Sequence, residues 1–396
     1  MKMELPAPVL HSLFALNQAG FEAYVVGGCV RDMLMEKEPA DWDVTTSALP
    51  EQTLAVFKNY RTIETGIKHG TVTVIIDGMP LEITTYRVDG NYSDGRHPDQ
   101  VSFTRSLTED LRRRDFAINA MAYHPHTGLV DPFHGQRDLK KRIVRCVGKP
   151  KTRFTEDALR ILRGLRFSST LDFSIKPTTS KAMRCLAHTL SCVSAERISV
   201  EFTKLLCGKN VKQILFDYAD VLSVLLPHVD FKQSAKLVSS ATADPIGRLA
   251  ALLFDSTPDM AEEACKHLRL STRMTKDVTD LVKYRRTNLE PTRGSILRTL
   301  QQLGPSLTRE LISLRRWADH QDDSAFQARM DQLLTEDACY QLKDLAINGD
   351  DLIAAGIPAG PELGATLNTL LNAVIDGDCP NQKDTLLELA TKKPVH

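Results

Sequence analysis

Residues 38–46 read EPADWDVTT, and the fold turns on whether its two aspartates sit on a strand or on a solvated turn. On a strand, side chains at i and i+2 share a face, so Asp41 and Asp43 would aim at one point. Like charges held there repel unless something cationic lies between them. On an exposed turn the same pair is merely hydrated. The flanking sequence decides between the two.

Upstream, residues 7–19 carry helical periodicity in Val9, Leu10, Leu13 and Leu16, and Ala23–Val26 forms a short strand-like run. YVVGGCVRD then reads as strand, Gly-Gly turn and helix start. Gly27 and Gly28 allow close approach of a ligand, N–H groups at the following helix start suit a phosphate, and Arg31 adds charge. The same Gly-Gly pair is also consistent with a plain turn. The expected strand at Asp41–Thr45 comes next. TVTVIID (71–77) and LEITTYR (81–87), joined by Gly78-Met79-Pro80, predict a β-hairpin. Its second strand carries Glu82, which serves as a third carboxylate or as a solvent-facing strand residue. Three carboxylates around a phosphate-binding turn predict a two-metal site in which Mg²⁺ ions clamp the attacking and leaving oxygens of a phosphoryl transfer.

DLRRRDFAINAMAY (110–123) places Arg113, Arg114 and Asp115 before an apolar stretch, predicted as a helix, that includes Asn119. Arginine reads phosphate or ribose oxygens, and a carboxylate accepts from a ribose hydroxyl. TEDALRILRGLRF (155–167) predicts a helix with Thr155 as N-cap. Asp157, Arg160 and Arg163 then follow one side, with Glu156 beside them and Arg166 one turn further, while Leu159, Ile161, Leu162 and Leu165 pack. An i,i+3 ion pair is one reading. The other is a protein template: Asp accepts and Arg donates, as the hydrogen-bonding edge of cytosine or adenine requires.

Bulk properties set the frame. With 396 residues, 42% hydrophobic and 25% charged, the chain exceeds one compact core. The formal net charge is zero, but residues 101–170 hold 15 Lys+Arg against 7 Asp+Glu, residues 261–317 hold 12 against 6, and residues 318–396 hold 5 against 14. Two basic blocks in a neutral protein point to localised binding of a polyanion. Glu4 and polar breaks interrupt the N-terminus, and no run approaches the length of a membrane span. The eight Cys show no C-x-x-C pair and predict reduced thiols rather than a disulfide or zinc framework. The predicted location is cytoplasmic. Residues 89–100, DGNYSDGRHPDQ, predict a loop. From about residue 138 the pattern is helical, including 156–167, 196–206, 245–253, 260–268, 294–303 and 306–318.

GGCVRD…DWD, HGT at 69–71, DLRRRDFAINAMA, EDALRILRGLRF and ERISVEF at 196–202 together resemble the successive motifs of the bacterial class II tRNA nucleotidyltransferases, the CCA-adding enzymes. These belong to the polymerase-β-like nucleotidyltransferase superfamily. The resemblance spans residues 20–210 and extends through LAINGDDLIAAGIPAGPELGATL, similar to a tRNA-binding tail.

It implies an α+β chain: a catalytic head (1–138) with a mixed sheet, then an all-α neck (139–207), body (208–317) and tail (318–396). It further implies that Asp41 and Asp43 hold Mg²⁺, with Glu82 in support. Gly28 and Arg31 would meet the triphosphate, and Arg114 and Asp115 the ribose and phosphate. Asp157 and Arg160 would pair with the base, Glu156 would orient Arg160, and Arg163 and Arg166 would complete the pocket. The implied partners are CTP, ATP and the acceptor and T arms of tRNA, with no membrane and no stable protein partner. The loop at 89–100 has the family's length and favours C, C, A addition over CC-only enzymes, with A-only addition and poly(A) polymerase as rivals. Gly164 stands where Ala is expected, and Ala117 where Thr is commoner; both leave every charged position intact.

Overall fold

The computed structural model describes residues 3–90, 101–336 and 338–391. Of the loop expected at 89–100, residues 91–100 lie outside the described residues. The chain divides into two compact units, Met1–Ala235 and Lys236–His396.

The first unit opens with the helix Ala7–Gln18, which buries Val9, Leu13 and Leu16 of the predicted face but leaves Leu10 exposed. Strands β1 (Ala23–Val26), β2 (Asp43–Thr46), β3 (Arg61–Ile63), β4 (Thr71–Ile76), β5 (Met79–Thr85), β8 (Ala122–His124) and β9 (Gly128–Val130) form a seven-stranded sheet, in the order β3-β4-β5-β2-β1-β8-β9. β6 (Arg87–Asp89) and β7 (Val101–Phe103) pair separately. The sheet is mixed: β2 lies parallel to β5 and antiparallel to β1. Along β4 alternate side chains are buried, as expected when one face of the sheet is covered.

Four local readings change. β2 begins at Asp43, and Asp41 sits on the bend before it, exposed. The β4–β5 turn is Asp77-Gly78, both with positive φ (49° and 79°), and Pro80 lies within β5 opposite Ile75. Asp-Gly supplies the two positive-φ residues that a tight two-residue hairpin needs, so the turn closes there rather than at Gly78–Pro80. DFAINAMAY is not a helix: a single 3₁₀ turn, Ala117–Asn119, leads into β8. Pairing of Ala122 and Tyr123 with β1 outweighs the helical propensity of the run. Finally, the helix expected from 156 to 167 is two helices, Pro150–Glu156 and Leu159–Leu171. Asp157 breaks them, with extended backbone (φ −147°, ψ 107°).

Thr155 is therefore no N-cap; its hydroxyl donates to Lys151 O inside the first helix. Asp157 takes the capping role, its Oδ1 accepting from Leu159 N at 3.1 Å. Gly164 answers to packing: a Cβ there would lie 2.8 Å from Cζ of the buried Phe116 and would also strike Met183. The helix Ala195–Leu206 packs against Leu159–Leu171.

The second unit is helical, with Pro245–Leu252, Pro258–His267, Thr272–Tyr284, Arg293–Asp319, Ser324–Thr335, Pro361–Asp376 and Lys383–Thr391 as its longer elements. Thr272–Tyr284 was not foreseen, although Ser271 caps it through Met274 N. The break expected between 303 and 306 appears as a kink at Gly304 (φ 71°, ψ 170°) before Pro305. Arg315 and Asp323 form a buried ion pair at 2.8 Å.

Candidate active site

The Gly-Gly turn is the hub of the site. Gly27 adopts φ 84° and ψ −125° between β1 and the helix Gly28–Leu34, a backbone shape that favours glycine. A Cβ there would lie 3.0 Å from Arg114 Nη1 and 3.8 Å from Asp43 Oδ2. The turn thus brings the carboxylate of β2 and the arginine after Leu107–Arg112 onto one spot. Arg31, on the first turn of the following helix, forks onto its neighbour Asp32 at 2.8 and 2.9 Å and donates to Asn119 Oδ1 at 2.8 Å.

Asp43 stands directly opposite Glu82 in the parallel β2–β5 ladder, so the two side chains leave the same face of the sheet. Burial is the main reason the Asp43 carboxyl is pushed up to about 6; Glu82 and Asp41 push the same way and Arg114 opposes. Asp43, opposite Glu82 and within the field of Asp41, is a carboxylate short of positive charge, a hard-oxygen donor of the kind that fits a divalent cation. Among the described residues no three His, Cys, Asp or Glu side chains are grouped closely enough to hold a metal by themselves. The three-carboxylate cluster expected from the sequence is therefore not formed: Asp43 and Glu82 face each other across the ladder, and Asp41 stands off on the bend before β2.

A second tier links the nucleotide-binding candidates to one another. Asp115 accepts from Phe116 N and from Arg163 Nε, each at 2.8 Å. Burial alone would raise its carboxyl, but the Arg163 and Arg160 guanidiniums hold it below the usual carboxylate range. Arg163 and Arg166 both donate to Glu201, at 3.2 and 2.8 Å. Phe167 stacks beneath: the Arg166 guanidinium lies 3.7 Å from its ring centroid, with Arg31 and Arg163 at 5.4 and 5.5 Å.

At the break between the two helices, Arg160 Nη1 donates to Glu156 Oε2 at 2.5 Å and Nη2 to Arg113 O at 3.2 Å. Asp157 Oδ2 accepts from Arg197 at 2.8 Å. Asp157 and Arg160 therefore do not share one helical face. They flank a turn that Glu156 and Arg197 brace from either side.

Of the predicted residues, Gly28, Arg31, Asp43, Glu82, Arg114, Asp115, Glu156, Asp157, Arg160, Arg163 and Arg166 fall into this contiguous network, and Asp41 reaches it through its charge. The sequence assigns no role to Asn119, Asp110, Arg197 or Glu201. The last two lie four residues apart in ERISVEF, an i,i+4 pair on one face, and that spacing was the available signal.

Comparison with known proteins gives matches along most of the chain. Residues 23–145 match the family described as "Poly A polymerase head domain". Residues 172–232 match "Probable RNA and SrmB- binding site of polymerase A", and residues 241–390 match tRNA nucleotidyltransferase domain 2. The CCA-adding enzyme of Streptococcus thermophilus is 38% identical over 395 residues, covering 96% of this chain and 94% of that one. The CCA-adding enzyme of Limosilactobacillus fermentum is 37% identical over 404 residues, covering 98% of each. Among solved structures, the Bacillus stearothermophilus CCA-adding enzyme in complex with CTP is similar with a TM-score of 0.82 and 29% identity, covering 98% of both chains.

Proposed function

The chain belongs to the family of CCA-adding enzymes and is a nucleotidyltransferase of tRNA processing, and from that premise we propose that it adds C, C and A to the tRNA 3′ end from CTP and ATP without a nucleic-acid template. The observation that carries this reading is the convergence of Gly27, Asp43 and Arg114 at one spot, with a braced Asp157/Arg160 turn tied to the same arginine segment.

In the proposed reaction the tRNA 3′ oxygen forms a bond to the α-phosphorus of the nucleotide, and the bond to the pyrophosphate oxygen breaks. Arg114, Arg31 and the N–H groups after Gly27 bind the triphosphate and absorb its charge. Asp115 accepts one bond at each oxygen and retains lone pairs for a ribose hydroxyl. Asp157 accepts from the exocyclic amine shared by cytosine and adenine, while Arg160, oriented by Glu156, donates to the ring edge. Arg163 and Arg166, held by Glu201 over Phe167, wall the nucleotide pocket. Asp41 and Asp43, with Glu82 in support, would hold Mg²⁺, which when bound neutralises the charge developing on the reacting oxygens.

The proposed organisation keeps a catalytic head to residue 138, a neck to 207, a body to 317 and a tail beyond. The basic block at 261–317 offers cations to the phosphates of the tRNA acceptor and T arms. Cytoplasmic placement draws support from eight free cysteines. Among the described residues no helix is long and apolar enough to cross a membrane.

Extension of a tRNA ending at its discriminator base tests the proposal. With CTP and ATP it gains three residues, with CTP alone two, with ATP alone none, and chelation of divalent metal stops all three. Long A tails from ATP alone would replace this reading with poly(A) polymerase, and A addition confined to tRNA already ending in CC would replace it with A-only activity.

A further inference from the structure

Three consecutive arginines, Arg112 to Arg114, close the short helix Leu107–Arg112 and run past its end, and their fates differ. Arg112 turns outward, its guanidinium 5.9 Å from the Phe133 ring and its Nε 3.4 Å from Glu109. Arg113 closes on Asp110 Oδ1 through Nε at 3.0 Å and Nη2 at 2.9 Å. Arg114 touches the other oxygen of Asp110 more loosely, at 3.5 Å. Among the described residues its buried Nε has no hydrogen-bond partner, and its Nη1 lies against Gly27. Helical spacing explains the sorting: positions i+3 and i+4 from Asp110 fall on its side, and i+2 falls opposite.

Asp110 itself is fully buried. Besides the two arginines it accepts from the Thr45 hydroxyl at 3.2 Å, which is also within reach of Thr84 O, and from Arg87 N at 3.3 Å. Thr45 lies two residues beyond Asp43 on β2, and Arg87 opens β6. One buried carboxylate therefore joins the strand of the candidate metal ligand, the base of the β6–β7 pair and the arginine segment. An isolated carboxylate could not stay ionised in such a place; its two guanidiniums keep it so.

We infer that Asp110 is a positioning residue for the incoming nucleotide: it takes up the charge of Arg113 and leaves Arg114 aimed past Gly27 at the triphosphate with donors unspent. The inference rests on the placement of Arg114 at the triphosphate proposed above. Asp110 touches no reacting atom, and its effect passes through Arg114.

A double-mutant cycle on CTP binding to the full chain tests it, with steady-state kinetics alongside. Asp110→Asn keeps an acceptor but loses the charge, so CTP binding weakens roughly tenfold. The KM for CTP and for ATP rises in step, while kcat and the KM for tRNA stay within about twofold. In an Arg114→Met background the same Asp110→Asn change adds less than about twofold, because the path through Arg114 is already cut. Equal weakening in both backgrounds, or a KM for tRNA that rises with that for CTP, overturns the inference and leaves the proposed function standing. CTP binding unaffected by Arg114→Met alone overturns the reading beneath it. If Asp110→Asn does not fold, Thr45→Val serves in its place: the lost hydroxyl weakens CTP binding roughly threefold, again only where Arg114 is present, and an unchanged affinity overturns the inference.

Discussion

Asp43 is held in its ionised form at a cost. Burial beside Glu82 and Asp41 raises its carboxyl from an ordinary 3.8 to about 6, so the folded protein binds that proton more tightly than the unfolded chain does. Its contribution to stability is full below pH 4 and is lost as pH rises towards 6, which makes the ionised group a net burden at neutral pH. Asp43→Asn, which carries no charge, should therefore raise the unfolding free energy at pH 7 by about 1–2 kcal/mol while abolishing nucleotide transfer. Denaturant titrations at pH 7 and pH 4 check this: the gap between variant and wild type should close at the lower pH. Asp43 was legible as a strand carboxylate, whereas Asp41, expected on the same strand face, lies on the bend before it. Asn119 and Asp110 were not legible, because a residue that acts by gripping another side chain announces itself only when the partner is in place; Arg197 and Glu201 left only their i,i+4 spacing as a signal.

Among the elements, the break at Asp157 matters most. Local propensity favours an unbroken helix from Glu156 onward, since Glu, Ala, Leu and Arg are good helix formers. An aspartate two residues before an apolar run is equally a capping signal, and packing of Leu159–Leu171 against Ala195–Leu206 selects the capped start. The break turns Asp157 and Arg160 from a helix face into a two-armed turn. A similar override occurs at Ala117–Asn119, where sheet pairing of β8 leaves only one 3₁₀ turn of the expected helix. That turn is pinned by Gly135: a Cβ there would lie 2.9 Å from Ala117 C and inside contact distance of its carbonyl oxygen. Backbone cannot swing aside as a side chain can. Gly135→Ala should cost about 3 kcal/mol, and the displaced Ala117, two residues beyond Asp115, should raise the KM for nucleotides. Denaturation and steady-state kinetics on the same variant read both effects. At Gly164, by contrast, Met183 has a flexible end that can yield, so the absent alanine reflects local fit rather than a fixed backbone demand.

At the scale of the molecule, the alternating first third followed by helical patterning predicted an α+β chain with an all-α remainder, and that is the architecture found except in the expected all-α neck, where Ile143–Val144 and Ser174–Ile175 pair as a short parallel sheet. The periodicity of Pro245–Leu252 and Pro258–His267 carried through almost residue for residue. The division of the chain at Ala235 and Lys236 has no composition change or Gly/Pro cluster to mark it, so it was not legible. What the whole assembly is for reduces to one claim, that a braced turn of protein does the work of a template. The most direct measurement supplies CTP, ATP, GTP and UTP singly to wild type and to Arg160→Lys on a tRNA lacking only its final A. Lysine keeps the charge but loses the planar fork. The account predicts that wild type takes ATP alone, and that Arg160→Lys loses about tenfold or more of the discrimination against GTP and UTP. A variant that slows with every nucleotide alike, its selection intact, would contradict it.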